Sequence, residues 1–158
     1  MSRSLRVCHV LNHVGPTSVP VDIALAQQKY TDVEAGVVGW FETEPFEDDD
    51  QLSVQTVDAP RNGIGLNRQT IHRAQEVFRP YDVVHVHSPH AGSLSKVVAR
   101  TIGKTIVSTE QNNHQGFTRK GLIANGITSV LADVITCVSY SVKDSFYRWE
   151  NLLNNNIR

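Results

Sequence analysis

Short apolar runs alternate along this chain with longer stretches whose apolar residues recur at helical spacing. The apolar runs predict six β-strands, at residues 5–11, 33–39, 52–57, 82–87, 105–109 and 134–138. The stretches between them predict helices at residues 19–30, 66–78, 90–102 and about 120–131, and Ser141 with Asp144 predicts the start of a last helix. The third run alternates apolar and polar residues, which is typical of a strand at the edge of a sheet. A solvated loop is predicted at residues 40–50, where a proline and several acidic residues interrupt the pattern.

The alternation of strands and helices predicts an α/β fold. Parallel strands need long crossover connections, and these are normally right-handed helices that cover both faces of the sheet. We therefore expect a Rossmann-like, doubly wound parallel sheet with helices on both faces. Ligands of such sheets bind beyond the C-terminal ends of the strands. This rule selects the loops at residues 12–18, 88–92 and 110–116, together with Ser139, as candidates for ligand binding.

Composition and charge limit the classes of function. The chain has 158 residues with 40% hydrophobic side chains, which is enough for one domain with a sizeable core. Its formal net charge of −1 provides no basic footprint, so we expect no nucleic-acid partner. The N-terminal region has no apolar run of signal-peptide or membrane-spanning length, which predicts a cytoplasmic protein, with peripheral contact to a membrane left open. Cys8 and Cys137 lie in apolar runs and are expected to be buried, reduced thiols.

Three histidines lie close together at the end of the fourth predicted strand. Strand periodicity places His85 and His87 on the same face of the sheet, and His90 follows shortly after. Histidines at such spacing can bind a metal ion, but no Asp or Cys lies at ligand spacing beside them. We expect His85 to be packed in the core, His87 and His90 to face a binding pocket, and no metal to be bound.

Two polar loops are further candidates for ligand binding. Gly15 is the single glycine between the first strand and the next helix, so the GxGxxG spacing of a dinucleotide site is absent. An anion or a sugar hydroxyl could still contact Gly15 near the helix N-terminus, and a plain tight turn is the alternative. Residues 110–114 place five hydrogen-bonding side chains directly after a buried strand, which favours carbohydrate binding over a merely solvated loop. No P-loop, nucleophile elbow or CxxC motif is present, so no catalytic residue is assigned.

Four segments of the chain together resemble the N-terminal domain of a family-four glycosyltransferase. They begin with Asp82-Val-Val-His-Val-His-Ser-Pro, continue with Ser93-Leu-Ser95 and Ser108-Thr-Glu110, and end with Ala132-Asp-Val-Ile-Thr-Cys-Val-Ser139. Their order and spacing, with the strand, loop and helix that precede them, extend the resemblance over nearly the whole chain. The sequence departs from many members of that family at Gln111, where those carry a histidine, and His114 is the candidate to occupy similar space.

The resemblance implies a GT-B architecture, in which two Rossmann-like domains face each other. The N-terminal domain shapes the acceptor site, the C-terminal domain binds the nucleotide sugar, and transfer retains the anomeric configuration without a required metal. On this basis we expect residues 1–150 to form the acceptor-side domain, residues 151–158 to begin an interdomain linker, and the donor to bind mainly to a C-terminal domain outside this chain. Substrate contacts are expected from Gly15, His87, His90, Glu110, Gln111, Asn112, His114 and Ser139.

The resemblance therefore predicts the acceptor-binding half of a retaining hexosyltransferase, which moves a sugar from a nucleotide sugar to a glycan or glycolipid. No cofactor is implied, and the 158-residue chain alone is expected to be inactive. Two alternatives stay open. One is a non-catalytic binding module or pseudo-enzyme domain, and the other is a small metal-dependent hydrolase that uses His85, His87 and His90.

Overall fold

A computed structural model describes residues 3–15, 18–41, 52–61, 67–87, 89–154 and 157 of the chain. The strands found within these ranges are β1 (Arg6–Leu11), β2 (Glu34–Gly39), β3 (Ser53–Thr56), β4 (Val83–Val86), β5 (Thr105–Glu110) and β6 (Val134–Cys137). The α-helices are α1 (Val19–Tyr30), α2 (Arg68–Phe78), α3 (Pro89–Thr101), α4 (Arg119–Ser129), α5 (Tyr140–Asp144) and α6 (Arg148–Leu153). The predicted elements are confirmed with shifts of one or two residues at their ends, and the predicted first residue of α2, Leu66, lies outside the described residues.

Local side-chain signals explain where several helices begin and end. The Asn67 side chain accepts a hydrogen bond from the backbone N–H three residues on, at 2.9 Å, and so caps α2. Gly103 adopts a left-handed conformation with φ of 67° just after α3, as predicted for a C-terminal cap. The hydroxyl of Ser139 caps α5 by accepting from the N–H three residues on, at 3.2 Å. The predicted cap at Ser141 was therefore wrong by two residues.

The strands form one parallel sheet in the order β3-β2-β1-β4-β5-β6. The sheet grows from β1 outwards to β3, and the chain then returns to the other side of β1 to add β4, β5 and β6. The expected doubly wound α/β fold is confirmed, and β3 lies at an edge as its alternating pattern predicts. Beyond β6, Ile157 forms an isolated parallel bridge with Ile135. Helix α6 runs across the predicted domain boundary at residue 150.

The two faces of the sheet are covered unequally within the described residues. A large hydrophobic cluster packs α2 and α3 against one face, through residues such as Phe78, Val98 and Ile106. A smaller cluster packs α1 against β1 and β2 on the other face, through Val21 and Val37. Within the strands β4, β5 and β6, the positions that continue this second face are half-buried or exposed, namely Val83, His85, Thr105, Val107, Thr109, Val134 and Thr136. This side of β4–β6 is therefore accessible at several positions.

Burial corrects two expectations. Trp40 and Phe41 are buried instead of solvated, because the backbone N–H of Trp40 donates to the Leu11 carbonyl at 2.8 Å and continues the strand pairing beyond β2. The rest of that predicted loop, residues 42–50, lies outside the described residues. Both cysteines are free thiols, but only Cys8 is buried, whereas Cys137 near the edge of the sheet is half-buried.

Candidate functional site

The order of the strands reverses at β1 and β4, and open α/β sheets bind their ligands in the crevice at such a point. The loop after β1 and the start of α3 flank this crevice, and the Ala91 N–H joins them by donating to Asn12 Oδ1 at 3.1 Å. The exposed ring of His90 stacks on Phe41 with 5.8 Å between ring centroids. A Cβ added to Gly15 would meet no atom of the described residues within 4 Å, so among them the backbone there borders open space. Gly15 and His90 thus lie at the sheet edge that the sequence predicts for a ligand.

Three imidazoles meet beneath this crevice, on the face of the sheet that α1 covers. His9 of β1 pairs in register with His85 of β4, and His87 follows two residues after His85. Nδ1 of His9 and Nε2 of His87 are 2.9 Å apart, and the rings of His85 and His87 have centroids 4.1 Å apart. His9 and His87 are buried, whereas His85 is half-buried. The expectation that His85 is packed in the core is corrected, because α1 covers β1 and β2 but not this part of β4.

Each histidine of this group has a further polar neighbour. Nε2 of His9 lies 2.8 Å from Gln27 Oε1 on α1. Nε2 of His85 lies 2.7 Å from the Thr109 hydroxyl, and Nδ1 of His87 lies 3.4 Å from Gln111 Nε2. Because a glutamine oxygen can only accept, His9 carries its proton on Nε2 and receives the Nε2–H of His87 at its Nδ1.

The three imidazoles are neutral at physiological pH. Burial, followed by the charge of the neighbouring imidazoles, lowers the pKa of His85 to about 3 and that of His87 to about 2. Burial also lowers the pKa of His9, although its hydrogen bond with Gln27 opposes this. A neutral imidazole has a lone pair on one nitrogen, so the group can accept hydrogen bonds or bind an electrophile.

A second buried polar group lies on the opposite face, at the end of β5. The carboxylate of Glu110 accepts hydrogen bonds from the Ser108 hydroxyl and the Asn125 amide, each at 3.2 Å. The Asn125 side-chain oxygen accepts from the ammonium of Lys96 at 3.0 Å, and Lys96 itself is fully buried. Nε2 of His114 lies 3.4 Å from Glu110 Oε2, which is ion-pair distance. These contacts tie β5, α3 and α4 together through one carboxylate.

His114 continues this group towards α6. Its Nδ1 lies 2.8 Å from the carboxylate of Glu150, and that carboxylate also accepts the Tyr147 N–H at 2.9 Å. Burial alone would lower the pKa of His114, but the carboxylates of Glu110 and Glu150 raise it to about 9. The His114 ring packs against the rings of Phe117 and Phe146 and has no exposed surface. His114 is therefore an imidazolium that holds α6 onto the domain.

The buried contacts around His114 also shift the pKa values of Glu110 and Lys96. Burial would raise the pKa of Glu110, but His114, Lys96 and Asn125 outweigh it and lower that pKa below its ordinary value. Burial lowers the pKa of Lys96 to about 8, although the charge of Glu110 opposes the change. At neutral pH the group thus contains buried charges of both signs.

The predicted contact residues divide into two sets. His90, Asn112 and Ser139 are exposed, whereas Gly15 and Gln111 are half-buried, with Gln111 beside His87. Glu110, His114 and His87 are buried and bond to other protein groups, although His87 was expected to face a binding pocket. His114 does not occupy a position next to His87; among the residues of its loop, Gln111 does.

Sequence reasoning missed four residues of these two groups. They are His9, Lys96, Asn125 and Glu150. His9, Lys96 and Asn125 lie within a strand or helix whose pattern explains its secondary structure without reference to chemistry. Glu150 lies on α6, which the sequence pattern did not predict. The polar character of His9 and Lys96 could have indicated them, because both lie among buried neighbours, in β1 and in α3.

No family model matches the sequence, and no curated protein was found to be similar to it. Solved structures do resemble it. HepE of Anabaena in complex with UDP-glucose superposes with a TM-score of 0.73 at 12% identity, over 98% of this chain and 43% of that protein. A UDP-GlcNAc 2-epimerase from Methanocaldococcus jannaschii gives 0.68 at 12% identity, over 98% of this chain and 45% of the epimerase. Sucrose-phosphate synthase from Thermosynechococcus elongatus gives 0.66 at 10% identity, over 98% of this chain and 47% of the synthase.

These likenesses show the fold alone, because the identities are low. The chain spans less than half of the length of each of these structures. The fold expected from the resemblance, a Rossmann-like half of the GT-B architecture, is confirmed. No described helix is long and apolar enough to cross a membrane.

Proposed function

We propose that this chain is the acceptor-side domain of a retaining glycosyltransferase that takes its sugar from a nucleotide sugar. The observation that carries the proposal is the crevice between β1 and β4, where the open backbone at Gly15 and the exposed ring of His90 stand at the sheet edge. The structurally similar proteins support the use of a nucleotide sugar, since one was solved with UDP-glucose and another is named for UDP-GlcNAc.

The accessible residues along the C-terminal edge of the sheet suit a carbohydrate acceptor. The amides of Gln111 and Asn112 and the hydroxyl of Ser139 can donate to and accept from sugar hydroxyls. The ring of His90, stacked on Phe41, adds a flat surface at the same edge of the sheet. In this proposal Glu110 and His114 do not touch substrate, but they hold the loop after β5 in position through their buried contacts. The donor binds mainly to a second domain outside this chain.

A substitution at Gly15 gives the sharpest test. The side chain of Gly15→Leu would extend into open space, so the domain should fold normally while the crevice is blocked. In the complete gene product, we expect release of the nucleoside diphosphate from UDP- and GDP-sugars to lose at least about 10-fold in kcat/KM, which is about 1.4 kcal/mol of transition-state binding. The melting temperature should stay close to that of the unsubstituted protein.

Glu34→Leu is the control, because Glu34 is the exposed first residue of β2 and lies at the N-terminal end of the parallel sheet, opposite the crevice. Transfer should be retained in this variant. Full activity of the Gly15 variant would contradict the placement of the substrate. A gene product that releases no nucleoside diphosphate from any of these donors would favour the alternative of a non-catalytic binding module.

A further inference from the structure

The three-histidine group of His9, His85 and His87 has the composition of a metal site. A metal site here would be a property in addition to the proposed sugar transfer. The sequence suggested His85, His87 and His90, but His90 lies on α3 and stacks on Phe41. The third imidazole comes instead from β1, through the in-register pairing of His9 with His85. One ring nitrogen from each of the three lies within 4.8 Å of the others.

These distances are close to those that a metal ion requires. Zinc binds histidine nitrogen at about 2.0–2.1 Å in tetrahedral geometry, so two of its nitrogen ligands stand about 3.3 Å apart. Nδ1 of His9 and Nε2 of His87 are already 2.9 Å apart, and they face each other. An ion between these three nitrogens needs side-chain movements of about an ångström, within the reach of small rotations about the side-chain bonds.

The polar neighbours of the histidines can serve as outer partners of a metal site. Ligating histidines usually donate their second N–H to an oxygen, which fixes the ring and its tautomer. Gln27 Oε1 already occupies that place for His9 at 2.8 Å, so Nδ1 of His9, which faces His87, is the nitrogen that would bind the ion. Rotation of the Gln111 amide by half a turn would present its oxygen to Nδ1 of His87, so that Nε2 is freed as well.

The exposure of the group also suits a metal ion. His85 is half-buried on the accessible side of β4–β6, which gives an ion a route to the other two. Imidazole nitrogen selects zinc and similar transition metals, whereas Mg²⁺ and Ca²⁺ prefer oxygen.

We propose that His9, His85 and His87 bind one zinc ion, and that its fourth coordination position is open to a water molecule or a ligand oxygen from the half-exposed side of β4. Three histidines with one open position form the arrangement of zinc sites that bind or activate small ligands. The proposal replaces the expectation from sequence that no metal is bound, because that expectation did not include His9.

The test measures zinc bound by the untagged, chelator-treated chain. After incubation with zinc chloride and gel filtration, elemental analysis should find about one zinc per chain. Co²⁺ in place of zinc should give the intense visible absorption of a tetrahedral site. A wild-type chain that retains no zinc and shows no such Co²⁺ spectrum would overturn the proposal without recourse to any variant.

Two variants and one control locate the ion. His85→Ala, at the half-exposed ligand, should weaken zinc binding by more than the roughly 10–100-fold expected for loss of an outer partner, and Gln27→Ala should weaken it within that range. His72→Ala removes an exposed histidine that pairs with Glu76 on α2, and should leave zinc binding unchanged. Circular dichroism checks that each variant is folded. If zinc binding falls in the His72 variant and survives in folded His85→Ala, the ion is a surface contaminant and the proposal is wrong.

Discussion

The buried imidazolium of His114 is expected to weaken the fold as the pH rises above neutrality. The carboxylates around it hold its pKa at about 9, against an ordinary value of 6.5. Because the folded state binds this proton more tightly than the unfolded chain does, the stabilisation is complete below about pH 6.5 and is lost as the pH rises through about 9. The difference between the two pKa values corresponds to roughly 3 kcal/mol at full extent.

A double substitution, His114→Gln with Glu150→Gln, provides the reference protein. It replaces the ion pair at 2.8 Å by two neutral amides and leaves Glu110 with its other partners. Lys96 changes the stability with pH in the opposite direction. Its pKa is lowered to about 8, so it loses its buried charge as the pH rises, and the cost of burying that charge disappears. Lys96 is present in both proteins, so its effect largely cancels when the two are compared.

The assay is urea unfolding at several pH values, followed by the fluorescence of Trp40 and Trp149. We expect the free energy of unfolding of the wild type, relative to the double variant, to fall by about 2 kcal/mol between about pH 7 and pH 9. His72→Gln, at an exposed position, should show a constant difference from the wild type over this range. A wild-type advantage that does not change with pH would refute the reasoning, because His114 would then be neutral in the folded protein.

Two further predictions concern packing. In Gly126→Ala, the added Cβ would overlap the ring of Trp149, so the free energy of unfolding should fall by about 1 kcal/mol or more. Gly116→Ala, where the Cβ meets nothing within 4 Å, should change it by less than about 0.5 kcal/mol, and equal losses in urea unfolding of the two variants would contradict this packing. A thiol reagent should modify the half-buried Cys137 of the native protein well before Cys8, which has no exposed surface and whose pKa is raised by burial. Faster modification of Cys8 would show that the sheet is assembled differently. So would titration of fewer than two thiols per chain in denaturant.

Much of the fold follows from local patterns in the sequence. The alternating strands and helices, the cap at Gly103 and the edge position of β3 depend on a few neighbouring residues each. The common face of His85 and His87 likewise follows from strand periodicity alone. The loops of the C-terminal sheet edge were identified in the same way, because a parallel α/β sheet places them together whatever their sequence.

The chemistry inside the domain depends on pairings between distant parts of the chain. His9 lies beside His85 only because β4 returns to the far side of β1, and a single residue of slippage would turn the imidazole to the other face. The inward direction of His114 depends on two carboxylates, that of Glu110 on β5 and that of Glu150, which reaches it from α6. The sequence by itself thus determined most of the elements, the fold class and which loops lie at the C-terminal edge of the sheet. Only the tertiary structure decided which polar side chains meet, because register and helix coverage are set by packing across the whole sheet.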